Sequence, residues 1–400
     1  MNILFVATEY PERGKPTTGF PNYLYRVSLA LVQMGHKPII LAAGRWDNHR
    51  IEGKIEIWTV KVQYTDCKLY VIKYMINALH KGYILNQSIR EMVKKREIDV
   101  IQFTSLEGIA MFYRCNTPSV LRLSSYAKTA FASYQTHSPI TVKIMSLFER
   151  ISAGRCNAIF APSRKNAEIF GNDCGRTVKV IETPFVNDVQ EYDNRYVDTY
   201  LKDKKYVLFF GTLYVEKGIL VIADILERFL TNNPEYSFVF VGNVWSAKGE
   251  RYAQILRRKA GKCVDRVIIW EALIHRQLYP VIKNADFVVL PSFMENLSNA
   301  CIEAMYFEKI VIGTDGASFE QLITHGENGL LCRIGDSGDL FDQMQMAVSM
   351  SKEQKIQMEK RAGKRIEKLE PKYVVRQLLQ LYEYVIENTS YHLKRKEKEK

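Results

Sequence analysis

Six short runs in the second half of the chain are apolar almost without interruption: YVLFFG (206–211), SFVFVG (237–242), RVIIW (266–270), DFVVLP (286–291), KIVIG (309–313) and NGLLC (328–332). A strand with one wet face alternates apolar and polar residues, whereas a strand covered on both faces does not. Longer amphipathic stretches lie between these runs, which is the pattern of a parallel sheet with helices on both sides. The first half repeats it. ILFVA (3–7) reads as a buried strand, and a loop with Gly14 and Gly19 follows. Leu24, Val27, Leu31 and Met34 then share a helical face, Gly35 stops the helix, and PIILAA (38–43) is the next strand. Further strands are expected at 55–60, 99–103, 119–123, 157–162 and 178–182.

The fold class expected is α/β, with two doubly wound Rossmann-like domains facing each other across a cleft. The polar stretch NDVQEYDNRYVDTYLKDKK (187–205) is the natural junction. The expected division is therefore an N-terminal Rossmann-like domain over 1–187 and a C-terminal one over 188–370. A helix over 371–392 would pack back on the first domain, and a charged tail would occupy 393–400. In such sheets ligands sit beyond the carboxyl ends of the strands.

Composition narrows the function classes. With 56 basic and 44 acidic residues the net charge is +12, which points to a negatively charged partner. No groove-reading or base-stacking pattern supports nucleic acid. The seven cysteines are scattered and form no CxxC, and the seven histidines have no zinc-site spacing, so reduced thiols and no metal are expected. GNVWSAKGER (242–251) has glycine and lysine but not the spacing of a phosphate-binding P-loop. The opening MNILFVATEY carries no basic leader, and no run reaches the roughly 18 apolar residues of a membrane span, so a cytoplasmic protein is expected. The stretch 68–96 mixes basic and aromatic residues. It reads as a pair of amphipathic helices on the first domain, or as a face for an anionic membrane surface, which would make the protein peripheral on the inner face of the plasma membrane.

Two segments carry the chemistry. After the strand ending at Leu290, the turn PSFMENLS leads into a helix starting near Leu297 or Ser298, with Glu295 in the turn and Glu303 on the helix. The unpaired N–H groups and dipole of such a helix start form an anion site, flanked here by carboxylates suited to sugar hydroxyls. A nucleotide-diphosphate sugar fits that combination. Upstream, FFGTLYVEKGILVIADIL (209–226) is a strand, a turn with Lys217 and Gly218, and a helix. Lys217 would meet a diphosphate there, and Gly218 permits close backbone approach.

These segments resemble glycosyltransferase family 4, the retaining enzymes of the two-domain GT-B fold. Glu295 and Glu303 match the family's Glu-x7-Glu motif. Gly211, Lys217 and Gly218 match its donor motif, Gly316, Glu320, Gly326 and Gly329 its later glycine-rich segment, and Gly19 its first loop. NAIFAPS resembles the segment leading to the family's serine, here Ser163. The resemblance spans nearly the whole chain and is strongest over 206–335. It implies that Glu303 binds the ribose hydroxyls, Glu295 sits at the donor sugar and diphosphate, and Lys217 stabilises the departing diphosphate. Gly211, Thr212, Asn296, Leu297, Ser298 and Asn299 would line the donor, and Gly19, Phe20 and Ser124 would contact substrate from the first domain. No cofactor is implied, since the nucleotide sugar is a substrate and Lys217 with the helix start replaces a metal. The acceptor would be a glycan or a lipid-linked sugar, as in assembly of surface polysaccharide or lipid-linked oligosaccharide.

Four positions depart from the pattern. Thr212 stands where arginine is frequent, Gly19-Phe20 where two glycines are, and Ser124 where some relatives have histidine. FEKIV, with Glu308 and Ile310, replaces the usual Gly-x-Pro-Val. Thr212 and Ser124 keep open a non-catalytic subunit that binds a sugar nucleotide for a partner enzyme, and a hydrolysing or epimerising enzyme of the same fold is a further alternative. His137 and His275 read as structural or exposed.

Overall fold

The computed structural model describes residues 1–10, 19–130, 138–243 and 247–398; Gly14, His137 and residues 399–400 lie outside them. The chain divides into two compact units at Val186–Asn187, and the segment from Leu369 onward returns to the first unit.

In the first unit the chain runs β1 (Asn2–Ala7), α1 (Gly19–Gln33), β2 (Lys37–Gly44), β3 (Asn48–Glu52), β4 (Ile55–Lys61) and α2 (Tyr70–Lys95). It continues through β5 (Val100–Thr104), β6 (Ser119–Arg122), α3 (Ala127–Ala130), α4 (Pro139–Arg155), β7 (Ala158–Ala161), α5 (Arg164–Cys174) and β8 (Val178–Val180). The sheet order is β3-β4-β2-β1-β5-β6-β7-β8. Every pairing is parallel except β3 with β4, which form a hairpin across Gly53 and Lys54. Strands β1, β5 and β6 are buried along almost their full length, as expected of strands covered on both faces.

The second unit runs β9 (Lys205–Phe210), α6 (Ile219–Asn232), β10 (Tyr236–Val241), α7 (Ala247–Lys259), β11 (Val267–Trp270), α8 (His275–Asn284) and β12 (Phe287–Leu290). Then follow α9 (Asn299–Tyr306), β13 (Ile310–Thr314), β14 (Leu330–Cys332), α10 (Ser337–Ser349) and α11 (Lys352–Glu367). The order is β11-β10-β9-β12-β13-β14, wholly parallel, which is the order of a dinucleotide-binding sheet. Its switch point lies between β9 and β12, where the chain departs first to one side and then to the other. The loops leaving these two strands are 211–218 and 291–298. The core beneath them is built from Val207, Phe209, Ile222, Phe238, Val289 and Ile312, all buried.

The last helix, α12 (Pro371–Lys398), packs in the first unit against α1, where the Tyr382 hydroxyl donates to Gln102 Oε1 at 2.5 Å. It runs through 393–398, read from composition as a separate charged tail, because alternating lysine and glutamate are good helix formers. Helix α2 also corrects an expectation. It is one continuous helix of 26 residues, not a pair. Gly82 does not break it but sits against the Phe112 ring, where an added Cβ would come within 3.4 Å.

Candidate donor site at the switch point of the second sheet

Strand β9 ends at Phe210, and Gly211 turns the chain at φ 138, a conformation open essentially to glycine. The loop closes through a short 3-10 turn, Val215–Lys217, ended by Gly218 at φ 73. Two contacts bind this loop to its neighbours. A Cβ on Gly218 would lie 2.0 Å from the Pro291 carbonyl oxygen, so the turn after β12 rests directly on Gly218. The Phe293 N–H donates to the Glu216 carbonyl at 3.1 Å, and the Glu295 N–H donates to the Ala317 carbonyl at 3.0 Å. Three loops, after β9, β12 and β13, are thus held together by backbone bonds, a rigid mounting for side chains.

On this mounting the Lys217 ammonium donates to Glu295 Oε1 at 2.6 Å, and the Ser292 hydroxyl donates to the same oxygen at 2.9 Å. Lys217 is about one-third exposed and Glu295 mostly buried. An ammonium has three donors, and Glu295 takes one of them. Helix α9 begins four residues after Glu295. Ser298 caps it, accepting from the Cys301 N–H at 3.3 Å, and no acid in its first turn offsets the dipole. Leu297 and Ser298 are buried, while Thr212, Asn296 and Asn299 are half-buried along the same loops.

Glu303 lies further along α9 and is only 5% exposed. His275, the first residue of α8, holds its Nε2 3.7 Å from Glu303 Oε1. The His275 ring stacks on Tyr279 at 4.9 Å, and Tyr279 in turn meets Phe307. The structure therefore places beside Glu303 a histidine that sequence reasoning set aside. Nothing local in IHRQLYP marks it; only the packing of α8 against α9 does. Burial of Cys301 pushes its thiol far above the usual range, which removes it as a nucleophile.

Position 308 bears on the departures. Glu308 adopts φ 54, the left-handed conformation in which glycine is favoured, at the position where the family pattern has glycine. The backbone keeps the turn although the side chain has changed.

Gly19, Phe20 and Ser124 belong to the first unit. Gly19 and Phe20 open α1, and Ser124 follows β6. Phe20 and Ser124 meet around a residue not singled out from sequence, Arg122. Its guanidinium donates to Ser124 Oγ at 2.9 Å and lies over the rings of Tyr23 and Phe20, 3.8 and 5.8 Å from their centroids.

Residues 204–349 match the family model of glycosyl transferases group 1. A 2-deoxystreptamine N-acetyl-D-glucosaminyltransferase of Niallia circulans is 26% identical over 145 residues, 36% of each chain. A GDP-mannose:cellobiosyl-diphosphopolyprenol alpha-mannosyltransferase of Xanthomonas oryzae pv. oryzae is 24% identical over 197 residues, 49% of this chain and 50% of its own. The matched stretches thus span half or less of these relatives. Among solved structures, a sucrose-phosphate synthase of Thermosynechococcus elongatus superposes with a TM-score of 0.79 at 16% identity, covering 97% of this chain and 100% of its own. An Anabaena protein solved with UDP and glucose superposes at 0.70 with 17% identity, covering 95% and 99%. The fold is GT-B. The segment 204–349 matches the group 1 glycosyl transferases, in line with the family resemblance read from the sequence.

Proposed function

We propose that this chain is a retaining glycosyltransferase that moves a sugar from a nucleotide-diphosphate donor to an acceptor hydroxyl. The observation that carries the reading is the Lys217–Glu295 pair on the locked loops of the switch point, with the buried Glu303 behind it. Glu303 would accept from the ribose hydroxyls. The diphosphate would take the remaining donors of Lys217 and the N–H groups at the start of α9, and so no metal is required. As the bond from the anomeric carbon to the phosphate oxygen breaks, negative charge grows on that oxygen. Lys217 meets it there, in a preorganised setting where such stabilisation is worth most. The acceptor oxygen bonds on the same face of the sugar, and its proton passes to the departing phosphate. Glu295 positions Lys217 and faces the donor sugar. Gly211, Thr212 and Asn296 to Asn299 would line the donor, and the first unit would serve the acceptor.

A lipid-linked glycan is the acceptor class we favour, because one of the relatives is named for a diphosphopolyprenol acceptor. Helix α2 supports it. Leu69, Ile72, Ile76 and Tyr83 recur at helical spacing and are exposed, opposite the buried face formed by Ala78, Gly82, Leu85 and Ile89. Lys68 and Lys73 flank that stripe, as in helices that rest on anionic membrane. The reaction is tested by incubating the protein with labelled nucleotide sugars and a sugar linked to polyprenyl diphosphate, then reading the product's anomeric configuration by NMR. Retention supports the reading and inversion refutes it. The non-catalytic alternative is favoured by one observation, Thr212 in place of an arginine in the donor loop. Binding of nucleotide sugar with no turnover on any acceptor would establish it.

A further inference from the structure

Arg122 is the last residue of β6 and is 5% exposed. An arginine cannot shed its charge, and a buried charge is costly unless it is paired. Among the described residues no carboxylate pairs with it. Its contacts are neutral: Nη1 donates to Ser124 Oγ at 2.9 Å, Nη2 donates to Thr183 Oγ1 at 3.3 Å, and the plane stacks on Tyr23. Its Nε is buried without a hydrogen-bond partner. Around it the carboxyl ends of β5 and β6 gather hydroxyls. Thr104 Oγ1 donates to Ser124 Oγ at 2.7 Å, and Ser105 Oγ accepts from the Ser124 N–H at 3.1 Å. Ser124 Oγ accepts from both Thr104 and Arg122. Ser124 is half-buried, so this hydroxyl cluster is not sealed from solvent.

An uncompensated guanidinium set among hydroxyls is complementary to a tetrahedral oxyanion, since its fork matches two phosphate oxygens at once. We propose that Arg122, with Ser124 and Thr104, binds a phosphate group carried by the acceptor. This rests on the reading of the chain as a glycosyltransferase and narrows its acceptor to a phosphate ester, soluble or lipid-borne. The cation would gain its counter-charge when the acceptor arrives.

The experiment measures binding to the full-length protein, by calorimetry, of glycerol 3-phosphate, of glycerol, and of vesicles with and without phosphatidic acid. UDP and GDP are measured in the same series. The parent is expected to bind glycerol 3-phosphate or phosphatidic-acid vesicles and to ignore glycerol; which arm responds separates a soluble from a lipid-borne phosphate. Arg122→Gln should weaken that binding at least about tenfold, while Lys217→Ala leaves it within about twofold, which separates this site from the donor diphosphate site. Arg122→Lys, which keeps the charge but loses the fork, should fall between. Unchanged nucleotide binding by Arg122→Gln reports that it has folded; should it not fold, Arg122→Lys and Ser124→Ala carry the test. The proposal is overturned if the parent binds neither phosphate probe, or if the Arg122 variants bind as the parent does. Phosphate binding without any nucleotide binding would instead sink the glycosyltransferase reading and leave the anion site standing.

Discussion

Gly218 joins the loop after β9 to the turn after β12, and replacing it by alanine combines two costs that Gly211 and Gly242 show singly. At φ 73 an alanine must adopt the left-handed conformation, which costs about 1–2 kcal/mol. Its Cβ would also lie 2.0 Å from the Pro291 oxygen and 2.7 Å from the Pro291 carbonyl carbon, both backbone atoms that no rotamer change can move. Relieving such an overlap requires the β12–α9 turn to shift, and overpacking of this kind costs about 1–3 kcal/mol. The sum is about 2–5 kcal/mol. Two neighbours serve as controls. Gly211 has φ 138 but open space around its missing Cβ, so Gly211→Ala carries the backbone cost alone. Gly242 has an ordinary φ but a Cβ site 1.9 Å from the Gly211 oxygen, so Gly242→Ala carries the clash alone. Urea unfolding of the full chain, followed through tryptophan fluorescence in a Trp46→Phe, Trp58→Phe background that removes the tryptophans of the first unit, reads the second unit. Gly218→Ala should be the most destabilised of the three. It should also bind nucleotide more weakly than Gly211→Ala, since the shifted turn carries Glu295 away from Lys217. A Gly218→Ala protein within about 0.5 kcal/mol of the parent would refute the claim that these loops are locked.

Glu295→Gln keeps the shape but loses the charge that orients Lys217; turnover should fall on the order of 10²-fold with nucleotide affinity little changed, as read by kcat against Kd. Glu308→Gly relieves a left-handed glutamate and should raise stability by up to about 1 kcal/mol in the same urea titration. Burial pushes the Glu149 carboxyl from its ordinary 4.5 up to about 8. Between those values the folded protein holds a proton that the unfolded chain has released. Stability from this group is therefore fully present below pH 4.5 and is lost as pH rises through 8. Glu149→Gln can still accept the Ala127 N–H, which now lies 3.0 Å from Glu149 Oε2. It should flatten the decline and stabilise the protein at pH 9 by a few kcal/mol, on the order expected for a shift of this size.

Strands such as β1, β5, β10 and β12 were legible because they are buried on both faces, and a covered parallel strand has no polar alternation to hide it. The start of α9 was legible because Ser298 is a capping residue at the end of a turn. Strand β3 was not. Asn48–Glu52 is polar and largely exposed, and it joins the edge of the sheet through a hairpin whose signal is little more than Gly53. Helix α2 was read as a pair of helices, while in the fold it runs unbroken and Gly82 within it is a point of close packing against Phe112. That Lys217 and Glu295 share one site followed from knowing that both loops leave the carboxyl edge of one sheet, but the ion pair between them is seen only in the structure. The nearness of His275 to Glu303 did not follow, because it depends on how two helices lie against each other. Arg122 was hidden inside SVLRL, where a single arginine in an apolar strand looks like an edge position. Only the structure shows that it is buried and lacks a carboxylate among the described residues.

The central claim is that the second unit holds a sugar nucleotide through Glu303 and Lys217. Its most direct test is the thermal stability of the full chain with UDP, GDP, ADP and CDP and their common sugars. A ligand that binds only the folded state stabilises it by about 2.7 kcal/mol at a hundredfold excess over Kd. The account predicts a clear upward shift with one nucleotide, lost in Glu303→Ala while that variant alone unfolds like the parent. A shift that Glu303→Ala retains in full, or no shift with any member of the panel, would contradict it.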